Sequence, residues 1–462
     1  MTTADARTHG QGPDASKLTL ADHELRRALR ALYPSSSATV SVPEGDPATD
    51  EARIARVAWS RILEPGDGTA GALIAAVGAS TALKLLLIGA PPEQVGRAWT
   101  EADPHAAPQS RSLHAALERW KPRLDRNATL ADLERAAQAG LQPVFPGDAT
   151  WPEQLHDLGP HAPVMLWVRG DPRALGLHSL AIVGARAATP YGTRITAELT
   201  SGVCVAGASI VSGAAYGIDA AAHRAALAAG APTVAVLAGG AERSYPLGNS
   251  DLIDRIAAHG AVCSEVVPGT APTRWRFLQR NRLVAALSAA TLVTEAGIRS
   301  GSLNTAGHAA QLGRALGAVP GPITSAASAG CHRLIREYFA SLVTSPSDAC
   351  ELVGLDLAVE APGVLGSSPA SRKGPSELDS SPGGTAGEPQ RSPIMHQRIL
   401  DALPLRGARG LDTIVQLAGV APRDAREALA ELELLGLIEK RERPGNHEHQ
   451  WAFRPAGRER RR

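Results

Sequence analysis

Six short apolar runs recur through the middle of the chain, each with helical spacing between it and the next, and that alternation leaves few folds open. In order they read LAIVGA (180–185), SIVSGA (209–214), TVAVLAG (233–239), AVCSEV (261–266), TLVTEA (291–296) and GAVPG (317–321). The helical stretches between them are expected to begin at Tyr191, Ile218, Ser250, Phe277 and Leu303. Strands that are apolar throughout, instead of alternating, are buried on both faces, and single helices between them are the crossovers of a parallel sheet. The expected fold is α/β, with a doubly wound, mostly parallel, Rossmann-like sheet.

On either side of this block the patterning changes. Residues 1–48 are polar and are expected to be disordered apart from a short helix near Leu20–Leu32. Residues 49–140 carry helical spacing, as in EARIARVAWSRIL and AGALIAAVGASTALKLLL, and are expected to form a small all-α domain of the SAM or helix-hairpin-helix kind. The EPGDGTAGAL turn between those helices lacks the apolar residue that normally separates hairpin glycines, so packing is its expected use ahead of DNA binding. The α/β domain is assigned to 141–355. Residues 356–391, rich in Pro, Gly and Ser, read as a flexible linker. Three short helical patterns and a β-hairpin fill 392–455, the order of a winged helix, and 456–462 is a basic tail.

A chain of 462 residues with 47 basic and 46 acidic side chains is neutral overall, so affinity for a polyanion must come from local clustering. Its four cysteines have no CxxC spacing, which argues against a zinc site or a disulfide framework and fits a reducing cytoplasm. The N-terminus lacks a basic start followed by an apolar core, and no window approaches the roughly 18 apolar residues of a membrane span. A soluble, cytoplasmic protein is expected.

In an open parallel sheet, ligands bind beyond the carboxyl ends of the strands. The segments at that level contain Arg186, Arg243, Arg274, Arg276, Arg280, Arg282 and Arg299, against four acids, Asp219, Glu242, Glu265 and Glu295. A net basic face on a neutral chain is the footprint of a polyanion site. The densest part is RWRFLQRNRLVAAL (274–287), in which Trp275 and Phe277 interleave the arginines, a composition suited to a sugar-phosphate backbone and to base stacking. On a helix starting near Phe277, Arg276 and Arg280 project together toward the ligand and Arg282 points away. Arg274 is expected in a mobile loop, and Arg282 is expected to turn inward and pair with either Glu295 or Glu265.

Enzymatic signatures are weak. GARAATPYG is not GxGxxG, and GIRSGSLNT lacks the lysine of a P-loop, so neither dinucleotide binding nor ATP hydrolysis is expected. Ser302 fits a helix N-cap as well as a phosphate contact. Asp219 and His223, four apart, fit an internal hydrogen-bonded pair better than a catalytic dyad. Nothing supplies a nucleophile, an oriented base and an oxyanion hole together. No catalytic residue, metal site or cofactor is expected; His447 and His449 of the terminal hairpin read as solvated.

The motifs AIVGAR, IVSGAAYGIDAAAHRAAL, VAVLAGG, YPLGN, FLQRNRLVAAL, EAGIRSGSLNTA, VPGPI and AGCHRLI fall in order across about 190 residues. Together they make the segment resemble the DNA processing protein A family (DprA, also called Smf). The resemblance implies an extended Rossmann fold that binds single-stranded DNA and loads RecA recombinase onto it in natural transformation and recombination. It also implies a homodimer without enzymatic activity; single-strand-binding protein is a further candidate partner. By the same resemblance the DNA site comprises Gly184 and Arg186, then Arg280, Asn281 and Arg282, then Ser300, Gly301 and Ser302; Arg274, Arg276 and Phe277 join it from the composition of their segment. Tyr216 stands where the family has an arginine, offering a stacking ring in place of a charge, and Ala185 stands where the family has serine. The alternative class is a nucleotide-processing Rossmann-like enzyme acting on nucleoside monophosphates; its PGGxGTxxE loop is absent here.

Overall fold

Nine strands build one sheet among the residues that the computed structural model describes, which are 18–33, 47–105, 110–355, 393–404, 408–434, 437–443 and 446–453. The expectations for the rest of 1–48, for the linker and for the basic tail fall outside the described residues. The strands are β1 (Gln142–Val144), β2 (Leu166–Gly170), β3 (Ser179–Gly184), β4 (Ser209–Ser212), β5 (Thr233–Val236), β6 (Ala261–Ser264), β7 (Ala290–Glu295), β8 (Ala315–Ala318) and β9 (Ser341–Leu342). Their spatial order is β1-β2-β6-β5-β4-β3-β7-β8-β9. From β6 to β9 all neighbours are parallel, while β2 and β1 extend the β6 edge antiparallel. All six expected strands are present; β1, β2 and β9 are additions.

The apolar runs are explained by what covers them. Ala181, Val183 and Val293 face one layer, which includes Leu283, Val284 and Leu287 of the helix Arg274–Ala286 and its end. Leu180, Ile182 and Leu292 face the opposite layer, against Leu199 and Val203 of the helix Pro190–Val205 and Ala222 of the helix Ile218–Ala228. With both faces covered, no polar alternation is possible along β3 or β7.

Strands β4, β5 and β6 run outward from β3 on one side, and β7, β8 and β9 on the other. The crevice between the carboxyl ends of β3 and β7 is therefore the switch point at which such sheets bind ligands. Gly184 and Glu295 are partners there. A Cβ at Gly184 would lie 2.6 Å from Ile218 Cγ1 and 2.7 Å from the Glu295 carbonyl, so the close approach requires glycine.

The N-terminal helices pack around the buried Trp59, Trp99 and Trp120, with Trp59 and Trp120 edge to face at 5.3 Å. Their 64–71 turn presses on the α/β body: a Cβ at Gly71 would overlap the Pro160 carbonyl, and the His161 ring lies 3.0 Å from the Gly66 carbonyl. Among the described residues no single helix is long and apolar enough to cross a membrane.

Toward the C-terminus, the helices Pro393–Ala402, Leu411–Ala418 and Pro422–Leu434 share a core of Ile399, Ile414, Leu429, Leu432 and Ile438. Strands Arg409–Gly410, Asn446–Phe453 and Ile438–Arg443 form an antiparallel sheet beside them.

Candidate nucleic-acid interface

A cleft of about 980 Å³ opens at the switch point. Segments beyond five strands supply it, with Ala215 and Asp219 following β4 and Tyr245 following β5. The turn after β3 brings Gly184 and Arg186, the start of the helix Arg274–Ala286 brings Arg274, Phe277, Arg280 and Asn281, and the turn after β7 brings Arg299 and Ser300–Ser302. Nine of the twelve expected DNA-binding residues thus meet on one surface: Gly184, Arg186, Arg274, Phe277, Arg280, Asn281, Ser300, Gly301 and Ser302.

The arrangement is built around Phe277. The Arg186 guanidinium carbon sits 5.0 Å from its ring centroid, the Arg280 carbon 5.9 Å, and the Tyr245 ring 5.6 Å. These are cation–π and aromatic distances. Arg186, Arg274 and Arg299 are exposed at the rim, whereas Arg280 is 6% exposed and forms the floor. Gly213 makes room for it, since a Cβ there would overlap Arg280 Nη1. Burial lowers the pKa of Arg280, and Asp219 beside it raises it again.

No acid competes for a phosphate here. Asp219 accepts from the Gly213 and Ala215 N–H groups at 3.1 and 3.4 Å; burial raises its pKa, with Arg280 opposing. Glu295 accepts from Thr189 N and Oγ1 at 2.8 and 2.7 Å, holding the start of the helix Pro190–Val205. Glu242 accepts from Gly269 N at 2.7 Å, and Glu265 binds Arg282 at 2.7 Å. All four acids of the loop level accept from internal donors; Asp219 offsets the buried Arg280, and Arg186, Arg274 and Arg299 keep the cleft net positive.

The SGS turn is held by short polar links. Ser300 Oγ and Ser302 Oγ are 2.8 Å apart, and Asn281 Nδ2 donates to Asn304 Oδ1 at 3.1 Å and to the Gly301 carbonyl at 3.4 Å. Ser302 is the first residue of the helix Ser302–Gln311, whose N-cap is Gly301 without a side-chain bond. Ser302 is therefore not the cap.

Several placements differ from the sequence reading. Arg276 does not share the cleft with Arg280: Glu64 of the helical unit takes it through two hydrogen bonds, at 2.8 and 3.1 Å. The helix begins at Arg274, not Phe277, because Thr273 caps it by accepting from Arg276 N at 3.2 Å; Arg274 is thus in the first turn and not in a loop. Arg282 is 3% exposed and lies under the cleft in its pair with Glu265; Glu295, the other candidate, is occupied by Thr189. Tyr216 stands outside the lining, and its hydroxyl accepts from Gly248 N at 3.3 Å. Asp219 and His223 do not pair; His223 Nδ1 meets Thr233 Oγ1 at 2.8 Å, and burial pushes its pKa down to about 3, leaving it neutral. Tyr245, Asn304 and Thr305 join the cleft unannounced. Tyr245 was legible in YPLGN, a loop beyond β5; the other two follow only once the helix Ser302–Gln311 is placed.

Residues 142–354 match the family model described as DNA recombination-mediator protein A. A Mycobacterium tuberculosis protein described as a DNA processing protein DprA is 40% identical over 403 residues, covering 83% of this chain and 92% of that protein. The Streptococcus pneumoniae DNA processing protein DprA is 42% identical over 187 residues, 40% of this chain and 66% of that one. The X-ray structure of DNA processing protein A from Streptococcus pneumoniae superposes with a TM-score of 0.53 at 30% identity, covering 65% of this chain and 96% of that chain.

Proposed function

We propose a function from one premise: this chain belongs to the DNA processing protein A family. The switch-point cleft binds single-stranded DNA, and the protein delivers that strand to RecA recombinase, in natural transformation and in recombination. The observation that carries the reading is the cleft itself, in which four arginines and two aromatic rings converge and every nearby acid is turned inward. Arginine phosphate contacts follow a backbone without regard to sequence, and Phe277 and Tyr245 offer faces for bases. Splayed bases are available only in a single strand.

Arg186, Arg274 and Arg299 contact phosphates, with Arg280 as the fixed charge beneath them. Gly184 and the SGS turn let the strand approach the backbone. Asn281 positions that turn, and Arg282 supports the floor. The chain acts without a catalytic group, cofactor or metal, in the cytoplasm. It works as a homodimer, for which the free edge of the sheet is the natural joint: among the described residues β9 pairs only with β8, its Leu342 is 54% exposed, and Phe339 just before it is 92% exposed.

The deciding experiment is RecA strand exchange on DNA pre-coated with single-strand-binding protein. Addition of this protein is expected to relieve the block, and the Arg186→Ala/Arg274→Ala variant is expected not to. Failure of the wild type to bind oligo-dT would overturn the assignment. In parallel, AMP is incubated with the protein; release of adenine would favour the nucleotide-processing class instead.

A further inference from the structure

We propose that the strand leaving the switch-point cleft continues over Thr273 into a second basic cleft, between the helical unit and the C-terminal three-helix module. This rests on the single-strand reading of the first cleft. The second cleft has a volume of about 580 Å³. Thr273 lines both: Pro272 and Arg274 front the first, Ala271 and Trp275 the second. One turn of chain at the head of the helix Arg274–Ala286 is all that separates them.

The charge of this second cleft is not balanced. Its guanidiniums come from Arg61, Arg123, Arg276, Arg398 and Arg409. Arg61 is neutralised by Asp132 at 2.7 Å. Glu64 pairs with both Arg123, at 3.1 Å, and Arg276, at 2.8 Å. Among the described residues Arg398 and Arg409 have no ion pair and bond carbonyls, those of Ala418 (2.9 Å) and Gly419 (2.8 Å) and that of Ala402 (2.6 Å). The remaining acid of the lining, Asp125, accepts from Ala128 N at 2.9 Å as the cap of its own helix.

Burial lowers the pKa of Arg398 and of Arg123; Glu64 opposes this in both, and Asp67 does so for Arg398, while the neighbouring guanidiniums add to the lowering. An anion placed among them relieves that cost. The Arg398 guanidinium also lies 5.4 Å from the Trp275 ring centroid, so this cleft repeats the pairing of arginine with an aromatic ring found around Phe277. A phosphodiester chain with bases satisfies both components, and a strand already held at Arg274 reaches the second cleft by crossing one residue.

The test uses the full-length protein and two oligo-dT probes, of about 6 and about 20 nucleotides, the shorter sized for one cleft. Arg398→Gln/Arg409→Gln is expected to bind the short probe as wild type does. It is expected to bind the long probe about tenfold more weakly, with the log–log salt slope reduced by about 0.7 for each arginine removed. Unchanged binding of both probes, or an equal loss on both, would overturn the second cleft while leaving the first intact. Binding of dAMP that the double variant loses, with both probes unaffected, would assign the cleft to a free nucleotide and also overturn it. If wild-type protein binds neither probe, the reading of the first cleft fails and takes this inference with it; sensitivity of the short probe to Arg186→Ala separates the two cases.

Discussion

Glu64 accepts hydrogen bonds from Arg276 Nη2 at 2.8 Å and Nε at 3.1 Å, joining the helical unit to the head of the helix Arg274–Ala286. Burial alone would raise the Glu64 pKa, but Arg276 and Arg123 outweigh it and hold the value at about 2, below the ordinary 4.5. A carboxylate depressed in the folded state contributes stability that is complete above pH 4.5 and is lost as pH falls toward 2. Glu64→Gln removes the buried carboxylate that Arg276 and Arg123 share. The expected loss is about 3 kcal/mol at neutral pH, read as a lower urea midpoint. The gap between wild type and variant should close as the pH is lowered below that window; a gap independent of pH would mean that charge is not what Glu64 supplies.

Arg280 is expected to matter twice, for binding and for folding. Its guanidinium is the counter-charge to Asp219, which is itself buried and has a raised pKa. Removing the arginine pushes that carboxyl further up. Arg280→Ala should therefore weaken oligo-dT binding and also lower the melting temperature, more near neutral pH than in acid, where a protonated Asp219 needs no counter-charge. Arg186→Ala, at an exposed rim position, should weaken binding with little thermal effect. Thermal scans at two pH values decide it: an unshifted Arg280→Ala melt would remove the floor role.

Arg282 is expected to act through structure alone. It is 3% exposed, and its partner Glu265 is mostly buried, so Arg282→Ala strands a carboxylate, a loss of about 4 kcal/mol. Arg282→Met/Glu265→Leu replaces both charges by apolar groups and should recover most of it. Oligo-dT affinity of that double variant should match wild type. A variant that is stable but binds poorly would return Arg282 to the DNA contacts that the family resemblance implied.

Much of this is legible in the sequence. The six apolar runs specify buried parallel strands because their burial on both faces leaves no alternative pattern, and the carboxyl-end rule then locates Arg186, Arg280 and the SGS turn. Strand β1 was not readable: three residues carry no period, and its pairing with β2 is set by the antiparallel edge. Arg276 was misplaced for a different reason. Its spacing from Arg280 is helical, but a glutamate 212 residues away decides where its side chain goes, and no local pattern encodes that. Arg282 shows the opposite case, since a helix face turned from the ligand leads to an internal acid.

The free edge of the sheet gives the fourth prediction. Phe339, 92% exposed at a φ of 54°, precedes β9, whose two residues are both exposed. An unpaired edge with apolar side chains invites another strand. Phe339→Glu/Leu342→Lys is expected to convert a dimer to a monomer in sedimentation while leaving the melting temperature within a few degrees of wild type. Identical sedimentation of variant and wild type would place any dimer contact elsewhere.

The C-terminal module is expected not to read duplex DNA through its third helix. A helix lying in the major groove needs basic or amide side chains toward phosphates and base edges. From Arg423 to Lys440 there are three bases, Arg423, Arg426 and Lys440, against five acids, Asp424, Glu427, Glu431, Glu433 and Glu439, a net charge of −2. Arg423 is further engaged by Glu427 at 3.4 Å, and His396 meets Glu431 at 2.7 Å. The basic groups of the module that face the rest of the protein are instead Arg398 and Arg409, on its first helix and first strand. Charge reversal of Arg423 and Arg426 should therefore leave both duplex and single-strand affinity of the full-length protein unchanged at physiological salt. Sequence-preferring duplex binding that this reversal abolished would show that the third helix is a reader after all, and that the acidic face is overcome by contacts elsewhere in the module.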